Sequence, residues 1–536
     1  MRPSFFLPLC TLLACAHAQP VTAPPAPAAA PPAAPPPAAA PADPEAQRRE
    51  GLQRAGRAME AGHFDAARSE LQRLWDGGHQ TDEVAWFAAY ASLGVGDDAA
   101  AFTWLERAVE RGMSSPGDLL HDKSLAPLRR MPGYDALVAR ARENALKARV
   151  AGNVGAGLET VTAAEAGLSE PALAAFVKAA EDAGSAALVV LRHGKLVGEW
   201  YFGGETQRIE SMSATKAVVA LAIGLLIDEG KLASADVPVS TFFPEWKAGL
   251  KGQVTLRHVL SHTSGLEANA SAMDIYQSRD FVRYALDAHV VDVPGSRFFY
   301  NNKATNLLAG VVERASGEKL DAYLMRRLFA PLGIRDVFWQ KDPAGNPLGM
   351  SGLRLHPVDF AKVGQLLLQR GTWQGKRILS EAWIQECTAA PSQPHNPTAG
   401  LLWWLVYDKS LRVLGQDLVN EARRNGMPEA SLSRLEDVVG KPMASADLMQ
   451  VLSARLGGMA GIRELMEKSA RVPLRTQVEG APRGYSARGS FGQLLLVVPE
   501  QDLVVVRMAL PDGRVPPDVM EFPAFNALAL SLVPSP

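Results

Sequence analysis

Cysteine is scarce: the 536 residues hold three, at Cys10, Cys15 and Cys387. The first two fall in an N-terminal leader where each is removed or, for Cys15, lipidated. No pair is left for an intramolecular disulfide, even in an oxidising compartment. No apolar run reaches the roughly 18 residues needed to span a bilayer. The longest, Ala217 to Ile227, reads as a buried helix, and a polytopic membrane protein is excluded. Neither charge sign is in excess, with Lys+Arg at 55 and Asp+Glu at 57 for a net −2. That excludes the basic stripe of a general nucleic-acid binder. There is no G-x-x-x-x-G-K-[ST] loop for a nucleotide and no G-x-S-x-G elbow. His258 and His262 have i,i+4 spacing, but no third ligand follows at motif spacing, so no metal site is expected. No organic cofactor is implied.

The chain begins with Arg2, an apolar stretch from Phe5 to Ala14 and the small-x-small triplet Ala16-His17-Ala18, which predict a secretory signal peptide over 1–18. Leu12-Leu13-Ala14-Cys15 also fits a lipobox, in which 1–14 is removed and lipidated Cys15 attaches the protein to a membrane. Both readings export the protein, to the periplasm or beyond. From Pro20 to Pro44 all residues but Val21, Thr22 and Asp43 are Pro or Ala. Such a segment cannot bury a core, and a semi-rigid linker is expected over 19–44.

Residues 45–150 are helical by pattern. The turn text Gly62-His63-Phe64-Asp65-Ala66-Ala67 is echoed 34 residues later by Gly96-Asp97-Asp98-Ala99-Ala100-Ala101, the tetratricopeptide period. Ala85, Ala88, Ala89 and Ala91 allow close helix packing. A TPR-like domain of this kind binds a protein partner, or else caps the next domain; both readings stand.

From about 165 to 536 the pattern is mixed. Ala187–Leu191 and Leu196–Phe202 flank the turn Arg192-His193-Gly194-Lys195, and Gln493–Val498 and Leu503–Met508 flank Pro499-Glu500-Gln501-Asp502; both are hairpin signals. Strands from the two ends with helices between predict an α/β (α+β) fold. Its antiparallel sheet is built from both ends of the domain, flanked by helices and completed by a helical subdomain. About 408–482 reads as an inserted helical segment, with patterns over Leu432–Val439 and Ala446–Arg455. Trp403 and Trp404 read as core and pocket wall, and Cys387 as a small buried hydrophobe.

Ser213-Ala214-Thr215-Lys216 opens the apolar helix, and its spacing puts Ser213 and Lys216 one turn apart on one face. A lysine desolvated there loses proton affinity and can serve as base toward the serine. A second Ser-x-x-Lys, Ser316 to Lys319, has no preceding strand and reads as a surface loop. Tyr300-Asn301-Asn302 lies on a loop before a helix. A tyrosine hydroxyl near a lysine can shuttle a proton, and Asn302 can hydrogen-bond a carbonyl.

Glu210-Ser211-Met212-Ser213-Ala214-Thr215-Lys216, Leu256-Arg257-His258-Val259-Leu260-Ser261-His262-Thr263-Ser264-Gly265-Leu266 and Tyr300-Asn301-Asn302, with Met350-Ser351-Gly352-Leu353 and Asp359 to Gly364, resemble the serine β-lactamase and penicillin-binding-protein superfamily. The branch they resemble is the class C β-lactamase-like hydrolases, which include esterases and 6-aminohexanoate-dimer hydrolases. The resemblance implies acylation at Ser213, with Lys216 and Tyr300 as base and acid. The third family motif, Lys-Thr-Gly or His-x-Gly, falls on Ala487-Arg488-Gly489, so its basic residue is missing. Gly489 permits close backbone approach, and the Ser490 N–H would complete an oxyanion hole with that of Ser213. Arg488 is the substitute cation, though its side chain should leave the opposite strand face. The implied activity is ester or amide hydrolysis on a small or peptide-like substrate. A D-Ala peptidase or β-lactamase is the alternative, and a non-catalytic binding module a third.

Overall fold

The computed structural model describes residues 43–202, 206–268, 272–469, 472–510 and 522–533. The expected leader, Cys15 and the linker up to residue 42 lie outside the described residues.

The first described part is helical. Pro44–Glu60, Phe64–Asp76, Asp82–Gly94 and Asp98–Glu110 pack as successive hairpins, succeeded by Pro116–His121 and Tyr134–Ala151. Side chains that accept backbone N–H groups start the helices: Thr81 caps Val84 and Asp97 caps Ala100. Gly62 and Gly96, at φ 76° and 80°, make the left-handed turns that end the preceding helices. Ala85, Ala88, Ala89 and Ala91 are fully buried, so helix backbones approach closely around Leu71, Trp75, Trp104 and Leu105.

Hydrogen bonds fasten this helical part to the C-terminal two-thirds of the chain. Gln53 Nε2 donates to the carbonyls of Tyr276 (3.2 Å) and Ser278 (2.8 Å), and Gln277 Nε2 donates to Glu60 (2.8 Å). Gly117 N–H donates to Gln207 Oε1 at 3.2 Å, Arg149 reaches the Tyr201 hydroxyl, and Gly155 N–H donates to Asp359 Oδ1 at 3.0 Å.

The centre of the protein is a six-stranded antiparallel sheet in the order Lys195–Tyr201, Ala187–Arg192, Leu503–Met508, Gln493–Val498, Gly484–Gly489, Trp404–Val406. The N- and C-terminal hairpins therefore meet in its middle, with Val189 opposite Val506. The first hairpin turns through His193 and Gly194, both at positive φ. Alternate residues serve two cores. Val189, Leu191, Leu495, Val504 and Val506 pack on Thr215–Asp228 and Pro357–Leu368. Leu188, Val190, Leu494, Leu496 and Val505 pack on Phe176 and Phe525 of the outer helices Glu170–Asp182 and Phe522–Leu530. A Cβ at Gly364 would lie 2.7 Å from Leu495, so the inner helix needs glycine to reach the sheet.

Between Trp404–Val406 and Gly484–Gly489 the chain builds a unit with its own core of Leu414, Leu418, Leu435, Leu448, Leu452 and Leu465. Its helices include Gln416–Arg424, Ser445–Leu456 and Met459–Lys468. Two features depart from the helical reading of this stretch. It contains a three-stranded sheet, Pro442–Met443, Lys409–Val413, Arg475–Glu479, whose polar residues give no clean alternation. Over 432–439 the helix Glu429–Leu432 gives way to a 3-10 turn at Ser433–Leu435.

Candidate active site

Ser213 lies in the 3-10 turn Met212–Ala214, which runs directly into Thr215–Asp228. The turn is held on the sheet side: Ser211 N–H and Oγ both donate to the Leu353 carbonyl (2.8 and 3.0 Å), and Ser211 Oγ meets Thr215 Oγ1 at 2.9 Å. Met212 takes φ 49°, a left-handed conformation that a side chain adopts at a cost of about 1–3 kcal/mol. The strain falls one residue before Ser213.

Lys216 Nζ is 2.9 Å from Ser213 Oγ and donates to the Met350 carbonyl at 2.7 Å. The side chain is buried at 2 % exposure and pairs with no carboxylate among the described residues. Desolvation holds its pKa well below that of a free lysine. Tyr300 closes the triangle. Its hydroxyl faces Ser213, and its ring centroid is 4.9 Å from Lys216 Nζ. Burial pushes the phenol up to about 12, so it holds its proton at neutral pH.

The Tyr300 loop is braced by the stretch Leu256–Leu266. His262, at φ 57°, packs its ring 4.5 Å from that of Tyr300 and accepts from Asn301 N–H at 3.3 Å. Burial and the nearby Lys216 pull its pKa down to about 3, so it is neutral. Asn301 caps the helix Asn302–Thr305 by accepting from Ala304 N–H (2.9 Å) and donates to Leu266 O. Asn302 is the opposite case: its Oδ1 is buried with no hydrogen-bond partner, an orphan acceptor of the kind that marks a ligand position. His258 is remote from His262 in role, closing a capping box with Thr255.

Gly489 lies against the serine turn. A Cβ there would be 2.5 Å from Ser211 O and 3.0 Å from Ser213 N, so only glycine lets the strand edge press on this backbone. Exposed Ser490 is the next residue. Ala487 points into the inner core at 1 % exposure, and Arg488 leaves the other face, beside Trp404. Trp404 stacks on Tyr300 at 6.3 Å and 23°, while Trp403 is buried. The second Ser-x-x-Lys is elsewhere: Gly317 ends a helix at φ 79°, and Lys319 pairs with Glu313 and Asn346.

The structure thus brings together Ser213, Lys216, Tyr300 and Gly489, with Asn302 two residues after Tyr300 and Ser490 next to Gly489, and turns Arg488 to the other face of its strand. Sequence reasoning missed the Met350 carbonyl as the partner of Lys216. It also missed Tyr276, whose hydroxyl meets Ser351 Oγ at 2.8 Å near Tyr300. No motif spacing marks Tyr276.

With this geometry, the Beta-lactamase family profile matches residues 173–523, and the chain belongs to that family. Among curated relatives, the 6-aminohexanoate-dimer hydrolase of Paenarthrobacter ureafaciens is 27 % identical over 230 residues, 39 % of this chain and 58 % of that protein. Esterase EstB of Burkholderia gladioli is 34 % identical over 181 residues, 28 % of this chain and 46 % of that protein. The chain spans about half the length of these relatives. The solved penicillin-binding protein homologue of Pyrococcus abyssi superposes with a TM-score of 0.43 at 19 % identity, covering 68 % of this chain and 77 % of that one.

Proposed function

We propose that the chain is an exported serine hydrolase that cleaves an ester or amide through an acyl-enzyme on Ser213. The observation that carries this reading is the 2.9 Å contact between Ser213 Oγ and the buried amine of Lys216, which pairs with no carboxylate among the described residues. In its neutral form the amine accepts the serine proton as Oγ bonds to the substrate carbonyl carbon. The resulting oxyanion is received by the N–H groups of Ser213 and Ser490, the strand edge being fixed there by Gly489. Tyr300 gives its proton to the departing oxygen or nitrogen and recovers one from Lys216. Water then attacks the acyl carbon by the same route in reverse. Asn302 donates through Nδ2 to the substrate carbonyl region. The relatives named as a dimer hydrolase and an esterase support the choice of ester and amide bonds.

Intact-mass analysis after a fluorophosphonate label tests this. Wild type should gain one adduct, mapped to the peptide holding Ser213. Ser213→Ala should gain none while keeping its melting temperature within a few degrees, and Ser316→Ala should label like wild type. An adduct that persists on Ser213→Ala would overturn the assignment.

A further inference from the structure

Lys216 takes its backbone partner from a strap, residues 349–353, that several parts of the fold hold in place. Asn306 Oδ1 accepts from Gly349 N–H at 2.8 Å. The Met350 carbonyl accepts from Lys216 Nζ at 2.7 Å. Ser351 Oγ meets the Tyr276 hydroxyl at 2.8 Å, and the Leu353 carbonyl accepts from Ser211. At its start the strap lies directly on the chain that follows Tyr300. A Cβ at Gly349 would be 2.6 Å from the Thr305 carbonyl oxygen and 3.1 Å from Asn306 Cα, so only glycine allows this approach.

Asn306 is an expensive residue for its place. It joins the helix Asn302–Thr305 to Leu307–Ser316 with helical backbone angles, where asparagine is a weak helix former, and its side chain caps neither helix. It is fully buried, and its Nδ2 has no hydrogen-bond partner. An orphan amide donor in the interior costs stability that an apolar side chain would not. What the side chain does is hold Gly349 N–H, one residue before the Met350 carbonyl. That carbonyl matters to the base. A neutral amine has two N–H bonds and one lone pair. With one N–H committed to Met350 O, the rotation of the amine is confined and the lone pair is left to face Ser213 Oγ at 2.9 Å.

We infer that Asn306 is a positioning residue for the general base: through Gly349 it sets the Met350 carbonyl, and the carbonyl aims the lone pair of Lys216 at Ser213 Oγ. The inference rests on the hydrolase reading and adds to it a residue that acts on the base alone. It has a signature in pH. The same carbonyl accepts a hydrogen bond from the ammonium form, so displacing it disfavours the charged amine further. The other titratable groups around Lys216 are the phenols of Tyr300 and, across Ser351, Tyr276, the neutral imidazole of His262, and the Glu210 carboxylate on Gly352 N–H. No hydrogen bond joins any of them to Asn306 among the described residues.

The test uses the full chain and nitrophenyl acetate over a range of pH. Asn306→Ala should lower kcat about tenfold or more with KM within about twofold. The acid limb of kcat/KM, which reports the free base, should move about one pH unit lower, the size of a lost hydrogen bond to a charged group. Asn306→Asp keeps an oxygen on Gly349 N–H, so kcat should stay within about threefold and the limb should not move down. Gly349→Ala displaces the strap with Asn306 intact and should reproduce both changes; it carries the test if Asn306→Ala fails to fold. The amine is also read directly, by titrating the lysine Cε resonances of protein labelled with carbon-13 lysine, the Lys216 signal being the one lost in Lys216→Met. A loss of kcat in Asn306→Ala with the limb and the Lys216 resonance unmoved would reduce Asn306 to packing and overturn the inference, as would an Asn306→Asp variant no better than Asn306→Ala. A Lys216 titration that shifts with Asn306→Ala, in a protein that takes no label on Ser213 and turns over no ester, would preserve the placement of the amine and overturn the hydrolase reading.

Discussion

Lys216 enters the core with Thr215–Asp228 and meets a carbonyl, a hydroxyl and an aromatic face, but no carboxylate among the described residues. Its depressed pKa makes two predictions. Activity should fall as pH drops through that pKa, because the amine must be neutral to take the Ser213 proton. Lys216→Arg should lose at least about a hundredfold in kcat/KM, since guanidinium stays charged; retention within tenfold would exclude Lys216 as base. The stability sign is separate. The folded pKa lies below the unfolded one, so the unfolded chain binds more protons in that window and stability rises with pH. Lys216→Met removes the penalty and should melt higher than wild type at neutral pH while being inactive. A second residue bears on substrate. Ala487, in the inner core, supplies no cation on the face that a family lysine would occupy. A charge-assisted hydrogen bond to a nearby carboxylate is worth about 1.5–3 kcal/mol, roughly ten- to a hundredfold. Nitrophenyl acetate should therefore be hydrolysed faster than a chromogenic cephalosporin, and the reverse order would refute this reading of Ala487.

At the scale of elements, what the sequence made legible was local. Ser213 and Lys216 are one helical turn apart, and Arg192 to Lys195 is a hairpin turn by composition, so short-range rules reach both. The meeting of the two hairpins at Val189 and Val506 could be anticipated from burial, because each strand is apolar on both faces. Tyr276 and the Met350 carbonyl are long-range partners set by packing, and no spacing in the chain encodes them. The strands of the insertion were illegible because Lys409–Val413 and Arg475–Glu479 mix polar and apolar residues on a small sheet. The first helix is another such case. Gln53 on Pro44–Glu60 holds the carbonyls of Tyr276 and Ser278; Tyr276 holds Ser351, and the neighbouring Met350 carbonyl holds Lys216. Gln53→Ala removes two hydrogen bonds, about 1–2 kcal/mol of local stability. Amides of 276–279 should then exchange faster and KM should rise severalfold, with kcat changed less. Unaltered exchange and kinetics would show that the helix only covers the loop.

Across the whole molecule, the cores differ in how firmly they are joined. The inner and outer cores share the six-stranded sheet and cannot open separately without breaking its ladders, as Leu494–Val498 pairs along its length with Leu503–Arg507. The helical part is tied on through polar contacts at Gln53, Gly117, Arg149 and Gly155. The inserted unit has a closed core of its own and joins the sheet where the chain leaves Val406 and returns at Gly484. Local opening free energy scales with the contacts an opening must break. Hydrogen exchange should therefore rank the molecule: amides of Val504–Val506 exchange only on global unfolding, while those of Lys409–Val413 exchange through opening of the insertion at lower free energy. Mild denaturant should accelerate the global class far more steeply, because its opening exposes more surface. This ranking bears on function, since Ser213, Lys216 and Tyr300 lie outside the insertion, and its opening leaves them in place. In the same denaturant range, turnover of nitrophenyl acetate should persist after the amides of Lys409–Val413 begin to exchange and fall only with those of Val504–Val506. If the amides of Lys409–Val413 exchange only together with those of the six-stranded sheet, the insertion and the catalytic domain open as one unit.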